Sequence, residues 1–140
     1  MPDWLLDTNA VSGLMREDRR ITAQLARLSE ADTLYLSVVT HAEIRYGIHR
    51  MPAGRRKRDL ERAYHHLLLL LGTLLDITRE ISEEYARIKA ALERRGIILP
   101  DNDLWIAATA LIRRLTLVTN DGHFAAVPDL KAEDWSRGGA

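Results

Sequence analysis

The sequence predicts an α/β protein, a three-layer domain whose central parallel β-sheet is flanked by helices. The main observation is that short apolar segments rich in β-forming residues alternate with longer segments of helical periodicity. Strands separated by helices favour parallel pairing, with helices covering both faces of the sheet. A length of 140 residues is typical of one domain. We therefore expect residues 1–140 to form a single domain.

The predicted strands are short, and each is bounded by turn or helix-capping residues. Apolar segments of this kind are typical of buried strands. The predicted strands are Trp4–Asp7, Thr33–Ser37, Leu74–Ile77, Leu115–Thr119 and a final short one within Leu130–Trp135.

Six helices are expected between these strands. Thr8 or Asn9 is expected to cap the first helix, and Thr40 with Glu43 has the spacing of a capping box that would begin the third. Gly72 and Gly96 are placed to end the fourth and fifth. The predicted bounds are 8–17, 20–28, 40–49, 56–71, 82–95 and 104–113.

Composition excludes several classes of protein. The chain has no cysteine, which rules out a disulfide framework and a thiolate zinc site and is consistent with a reducing cytosol. No apolar run approaches the roughly 20 residues needed to span a bilayer, and the N-terminal residues do not resemble a signal peptide. We therefore expect a cytoplasmic protein. The net charge of zero, from 20 basic and 20 acidic residues, argues against a general nucleic-acid coat protein.

Four acidic residues are the candidate functional residues. Asp7 ends the first predicted strand, Asp121 follows the fourth, and Glu43 and Asp103 lie at the starts of helices. The carboxyl ends of parallel strands meet at one edge of a sheet, where ligands collect, so we expect the four carboxylates to converge there. Each acid at a helix start, taken alone, can also be a residue that complements the helix dipole.

Convergence of four carboxylates predicts a metal site. Two like charges about 4 Å apart repel by about 4 kcal/mol at an effective dielectric constant near 20, so such a cluster would take up protons or move apart unless a cation lay within it. Carboxylate and water ligands suit Mg²⁺ or Mn²⁺. The chemistry expected there is hydrolysis of a phosphodiester by metal-activated water.

Four segments together resemble the signature regions of PIN-domain ribonucleases, in order and in spacing. The resemblance extends from Asp7 to Asp121, and Leu130–Trp135 is similar to the closing strand of that family. The four segments are Leu6-Asp7-Thr8-Asn9, Ser37 to Glu43 and on to Gly47, Asp103 to Ala108, and Val118-Thr119-Asn120-Asp121. In length the chain is similar to the VapC-type toxins of type II toxin–antitoxin pairs.

The resemblance implies an endoribonuclease that depends on Mg²⁺ or Mn²⁺. It also implies a homodimer and a cognate antitoxin that occupies the acidic groove. Asp7 and Asp103 would be the principal metal ligands, Glu43 would complete the site, and Asp121 would join the cluster. Residues implied as hydrogen-bonding supports are Thr8, Asn9, Thr119 and Asn120. The spacing of the third segment favours Asp103 over Asp101 as the ligand.

Several residues outside the four acids have more than one interpretation. His41 is expected to be a surface imidazole, whereas His123, two residues after Asp121, is a possible RNA contact on which no prediction is made. The basic clusters Arg16–Arg20 and Arg50–Arg58 are either solvated helix surfaces or flanks that hold the RNA backbone. The apolar run Leu67–Leu71 is either core or a surface for a second subunit or the antitoxin.

Two other functions are compatible with parts of this pattern. A PIN module without catalysis would bind a protein partner or nucleic acid, but the presence of all four acids favours catalysis. A phosphatase or phospho-receiver would use an aspartate as phosphoacceptor, usually with a second acid nearby and a lysine opposite. Asp7 has no neighbouring acid, and Asn120 and Asp121 stand where the lysine is expected.

Overall fold

The computed structural model describes residues 3–71 and 74–137, and within them a single five-stranded sheet. Its order is β3-β2-β1-β4-β5, and every neighbouring pair is parallel. Leu5 at the centre of β1 is aligned with Tyr35 on one side and with Leu117 on the other. The strands are β1 (Trp4–Leu6), β2 (Leu34–Ser37), β3 (Leu74–Leu75), β4 (Thr116–Val118) and β5 (Ala132–Glu133). The predicted parallel sheet is confirmed, with strands shorter than expected.

Six α-helices and two short 3-10 helices connect and follow the strands in the described ranges. The α-helices are α1 (Thr8–Met15), α2 (Arg19–Ala26), α3 (Val38–His49), α4 (Arg55–Leu70), α5 (Arg79–Arg94) and α6 (Asp101–Arg113). The 3-10 helices are Gly122–Ala126 and Trp135–Arg137.

The sheet separates two hydrophobic cores, which gives the three-layer fold that the sequence predicts. Leu5 points into a core shared with α5 and α6. Trp4 and Leu6, its neighbours in β1, point into the other core, which α1, α2, α3 and α4 cover. Successive side chains of a strand point to opposite faces, so the short apolar strand β1 contributes to both cores.

The capping box predicted at Thr40 is wrong. The structure begins α3 two residues earlier, at Val38, because β2 passes directly into the helix and the Ser37 hydroxyl accepts the N–H of Val39 at 3.0 Å. Thr40 lies inside the helix, fully buried, and its hydroxyl has no hydrogen-bond partner among the described residues.

Other helix starts also differ from the prediction: α2 and α4 begin one residue earlier, and α5 begins at Arg79, three residues before the predicted start. The cap of α1 is Asp7 instead of Thr8 or Asn9. Helix α6 begins at Asp101 instead of Leu104, directly after Pro100, and the two acids in its first turn complement the helix dipole. The predicted end of α5 is confirmed, since Gly96 has the positive φ of +73° that follows many helices.

The apolar end of α4 is divided between core and surface. Leu67 and Leu71 are buried, whereas Leu69 and Leu70 are 73% and 80% exposed. Gly72, predicted to end this helix, lies outside the described residues. No helix in the described ranges is both long and apolar enough to cross a bilayer.

Candidate metal and nuclease site

Asp7 lies immediately after the central strand β1 and is only 4% exposed. Its Oδ1 atom accepts the N–H of Ala10 at 2.8 Å, so the carboxylate caps α1 while it sits at the carboxyl end of the sheet. Burial raises the pKa of the Asp7 carboxyl, and the negative charges of Asp121 and Glu43 raise it further. The Thr119 hydroxyl and the Ala10 N–H act in the opposite direction. The strand end therefore holds a carboxylate whose charge is only partly compensated.

Glu43 reaches the same place from α3. It lies two turns into the helix from its cap at Ser37, and its Oε1 atom accepts the hydroxyl hydrogen of Thr8 at 2.5 Å. Because Thr8 directly follows Asp7, this bond joins the start of α1 to α3. The capping role that the sequence suggested for Glu43 is absent, which leaves its other carboxylate oxygen available to the site.

Asp103 belongs to the first turn of α6 and is half-buried. Burial raises the pKa of its carboxyl, and the charges of Asp121, Glu43 and Asp7 raise it further. The nearby His123 lowers it. The charges of all three other predicted site residues thus act on Asp103, as expected if the four carboxylates share one edge of the sheet.

Asp121 and His123 complete the cluster from the segment after β4. Oδ1 of Asp121 accepts the N–H of His123 at 2.9 Å and lies 3.1 Å from its Nδ1 atom. The Thr119 hydroxyl accepts the N–H of Asp121 at 3.0 Å. Donor atoms of Asp103, Asp121 and His123 all lie within 4.8 Å of one another, which is close enough for one cation to contact all three.

His123 is the residue for which the sequence made no prediction. Its only sequence signal is the spacing Asp121-Gly122-His123, and a short 3-10 helix is needed to turn the imidazole back toward Asp121. Asn9 and Asn120, implied as supports, lie at the rim, where Nδ2 of Asn9 donates to Oδ1 of Asn120 at 3.4 Å.

Asp101 is engaged elsewhere, although it shares the first turn of α6 with Asp103. Its Oδ1 atom accepts hydrogen bonds from the Tyr85 hydroxyl at 2.7 Å and from the Lys89 ammonium at 2.8 Å. The hydrogen bond from Lys89 lowers the pKa of the Asp101 carboxyl. Tyr85 also stacks on Trp105, with ring centroids 3.8 Å apart. These contacts fix the start of α6 against α5.

His41 is not the surface imidazole that was expected. The residue is half-buried, and its Nδ1 atom lies 2.6 Å from the hydroxyl of Tyr64 in α4. The imidazole therefore joins α3 to α4 and is engaged away from the carboxylates. His65 and His66 are exposed on α4.

The donor set is suited to a hard divalent cation. Carboxylate oxygens suit Mg²⁺ and Mn²⁺, whereas imidazole is a ligand more typical of transition metals. Burial raises the pKa of Asp7 and Asp103, and the neighbouring carboxylate charges raise it further, while at Asp103 the charge of His123 acts in the opposite direction. Cys ligands, which would favour zinc, are absent from the sequence.

Fold and site together define an α/β protein with a carboxylate cluster at the carboxyl edge of a parallel sheet. The PIN domain model matches residues 4–130. A VapC ribonuclease of Sinorhizobium fredii is 35% identical over 84% of this chain and 86% of its own length. The toxin FitB of Neisseria gonorrhoeae is 35% identical over 94% of this chain and 97% of its own. The chain therefore belongs to the PIN-domain family, with VapC-type ribonuclease toxins among its relatives.

Solved structures agree with this assignment. The VapBC2 complex of Rickettsia felis, bound to a promoter DNA fragment, has a TM-score of 0.86 at 27% identity, covering 95% of this chain and 98% of that one. The FitAcB structure of Neisseria gonorrhoeae has a TM-score of 0.84 at 33% identity and covers 96% of this chain and 99% of that one. The three-layer fold is that of these VapBC and Fit proteins.

Proposed function

We propose that this protein is an endoribonuclease that depends on Mg²⁺ or Mn²⁺ and serves as the toxin of a type II toxin–antitoxin pair. The observation that carries the proposal is the meeting of Asp7, Glu43, Asp103 and Asp121 at one edge of the sheet, where burial and then the charges of the neighbouring carboxylates raise the pKa of Asp7 and Asp103. Membership of a family with named ribonucleases supplies the reaction class.

The residues proposed to hold the cation are Asp7, Asp103 and Asp121, with Glu43 and His123 beside them. A bound Mg²⁺ or Mn²⁺ would lower the pKa of water and neutralise the charge that develops on a phosphodiester under attack. The protein's own contribution is positioning. Helix α1 holds Asp7 through the Ala10 N–H, and the Thr8 hydroxyl fixes one oxygen of Glu43.

Glu43 is the group proposed to receive a proton from the attacking water. The Thr8 hydroxyl holds Oε1, and Oε2 is the atom proposed to take the proton. Hydrolysis forms a bond from the water oxygen to phosphorus and breaks the bond from phosphorus to the leaving oxygen, which takes up a proton. General-base catalysis of this kind contributes about 10²- to 10⁴-fold.

The test compares cleavage of total cellular RNA by the wild type, Asp7→Asn and Asp103→Asn, each in Mg²⁺, Mn²⁺ or EDTA. Asp101→Asn is the matched control, because Asp101 shares the helical turn of Asp103 but binds Lys89 and Tyr85. We expect discrete fragments from the wild type and Asp101→Asn only, and none in EDTA. Cleavage that persists in Asp7→Asn and Asp103→Asn would refute the four-carboxylate site, and absence of both cleavage and metal binding would favour a PIN module that only binds.

Two partners belong to the same proposal, a cognate antitoxin and a second copy of this chain. The support for the antitoxin is that similar solved structures are VapBC assemblies, one of them a member of the VapBC family of toxin–antitoxin systems from Mycobacterium tuberculosis. For self-association, Leu69 and Leu70 at the end of α4 offer exposed apolar surface. Sedimentation of the wild type should show a dimer, and a monomer at micromolar concentration would remove the homodimer from the proposal.

A further inference from the structure

A groove of about 290 Å³ lies beside the carboxylate site, between α1, α3 and α4. Thr8 and Glu43, which are hydrogen-bonded to each other, form the end that adjoins the site. Farther along, its lining includes Arg16 and Arg56, with Met15 and Leu60 as apolar wall. We call this feature the arginine groove.

Arg16 and Arg56 differ from Arg20, Arg45 and Arg55, which are engaged with other groups, and resemble Arg58 in having a free guanidinium group among the described residues, but only Arg16 and Arg56 line the groove. Arg45 is paired with Glu61 at 3.2 Å, Arg55 with Asp59 at 4.0 Å, and Arg20 donates to the backbone oxygen of Ser136. Within residues 3–71 and 74–137, neither Arg16 nor Arg56 has an ion pair or a side-chain hydrogen bond. The arginine groove thus presents two guanidinium groups whose charge no carboxylate of the described chain neutralises.

We propose that the arginine groove binds backbone phosphates of a single-stranded RNA segment adjacent to the phosphodiester that is cleaved. The proposal rests on the nuclease function proposed above and assigns a substrate-binding subsite to it. Guanidinium groups match phosphate oxygens with two parallel hydrogen bonds, and Met15 and Leu60 are suited to contact sugar and base faces.

Charge balance explains why such a subsite is needed. The net charge of the protein is zero, so no global field attracts a polyanion, and the carboxylates at the site repel it. Two unpaired arginines next to Glu43 provide local attraction at the point where the strand must enter. An acidic peptide would also match the arginines, but the groove is continuous with the proposed hydrolytic site, which favours the polymer that reacts there.

Binding of a fluorescein-labelled single-stranded oligoribonucleotide of mixed sequence, followed over a range of salt concentrations, tests the proposal. All proteins carry Asp103→Asn and are kept in EDTA, so that the RNA is not cut. Arg16→Gln with Arg56→Gln is compared with Arg55→Gln plus Arg58→Gln, two neighbours of Arg56 in the same basic cluster that do not line the groove. Arg16→Lys with Arg56→Lys keeps the charge.

The Arg16→Gln, Arg56→Gln variant should lose two phosphate contacts. The magnitude of the slope of log association constant against log salt concentration should then fall by about 1.4, and binding should weaken about 25-fold near 0.1 M salt. The Lys pair should keep most of the slope, and the Arg55 and Arg58 pair should change it little. If the double Gln variant does not fold by circular dichroism, each single Gln variant should reduce the slope by about 0.7.

Equal losses in the groove pair and the control pair would overturn the proposal. A second result would also overturn it. RNA binding would be unchanged in the Arg16→Gln, Arg56→Gln variant, while a glutamate-rich peptide would bind only the protein that keeps both arginines. The groove would then bind a protein partner instead of RNA. Failure of the proposed nuclease function is distinguishable from failure of the groove. If RNA binding requires Arg16 and Arg56 but the wild type cleaves no RNA in Mg²⁺ or Mn²⁺, the nuclease function is refuted and the groove is retained.

Discussion

At the scale of single residues, Asp7 combines a structural and a functional position. Its Oδ1 atom caps α1 through the Ala10 N–H, yet its negative charge lies close to those of Asp121 and Glu43. An asparagine keeps the oxygen acceptor of the cap and removes the charge. The two roles can therefore be separated by one substitution.

We expect Asp7→Asn to raise the thermal unfolding midpoint in EDTA, because the buried charge and its repulsion are removed while the cap remains. The same variant should lose the stabilisation by Mg²⁺ and at least about 100-fold in activity, since changes even outside the ligand shell of a metal cost 10- to 100-fold. Differential scanning fluorimetry in EDTA and in Mg²⁺ measures both the change in the midpoint and the loss of stabilisation by Mg²⁺.

Asp18→Asn is the matched control for that experiment. Asp18 caps α2 by accepting the N–H groups of Arg20 and Ile21, and it takes no part in the carboxylate cluster. Its replacement should leave the response to Mg²⁺ intact and should not raise the midpoint in EDTA, because a charged cap is favourable at a helix N-terminus. A fall in the EDTA midpoint of Asp7→Asn would contradict the account of its charge.

The positions of the acids at strand ends and helix starts, in a sheet predicted to be parallel, were enough to predict where they would meet. Asp7 and Asp121 follow neighbouring parallel strands, so their convergence depends only on topology. His123 could not be predicted in the same way, because its approach to Asp121 depends on one turn of 3-10 helix. The roles of the four acids as metal ligands stay a prediction for the cleavage experiment.

At the scale of secondary-structure elements, the start of α3 determines where Glu43 lies. The helix begins where β2 ends, with the Ser37 hydroxyl as cap. Glu43 consequently lies in the second turn of α3, close enough to α1 for Thr8 to reach it. Had the helix begun with Thr40 as its cap, Glu43 would have been engaged with the backbone at the helix terminus.

A pair of substitutions distinguishes these two starts of α3. Ser37→Ala should lower the free energy of unfolding by about 1 kcal/mol, since it removes a capping hydrogen bond. Thr40→Val should be neutral or stabilising, because the buried Thr40 hydroxyl has no partner among the described residues and replacing it with a methyl group of similar shape relieves its desolvation. Urea denaturation measures both. The reverse order of stabilities would support the capping box at Thr40.

The existence of the elements was predictable, whereas several of their bounds were not. All six helices were predicted, α2 and α5 from apolar residues at three- and four-residue spacing and the others mainly from capping, breaking and turn residues. The starts of α3 and α5 depend instead on single hydrogen bonds, from Val39 to Ser37 and from Ile81 to Thr78. More than one nearby Ser, Thr or Asp could have made such a bond, and only the packing of the helix against the sheet selects one.

At the scale of the whole molecule, the carboxylate site makes stability depend on pH and on metal together. Burial and neighbouring charges raise the pKa of Asp7 and Asp103 above the ordinary 3.8. Between 3.8 and the raised values, the folded protein therefore binds more protons than the unfolded chain. The contribution of these two groups to the free energy of unfolding should consequently fall as pH rises through that window.

Mg²⁺ should offset this fall in the free energy of unfolding, because a bound cation stabilises the ionised carboxylates. The stabilisation by Mg²⁺ should grow as the carboxyl groups lose their protons. We expect the difference in unfolding free energy between Mg²⁺ and EDTA to increase with pH across the window. Carboxyl groups outside the site affect the unfolding free energy equally in both buffers, so their effects cancel in this difference. Asp101, whose pKa is lowered by the hydrogen bond from Lys89, is one of them. Urea denaturation over a pH series gives this difference, and Asp103→Asn should flatten its dependence on pH. Identical pH profiles with and without the cation would mean that the four acids do not form a metal site.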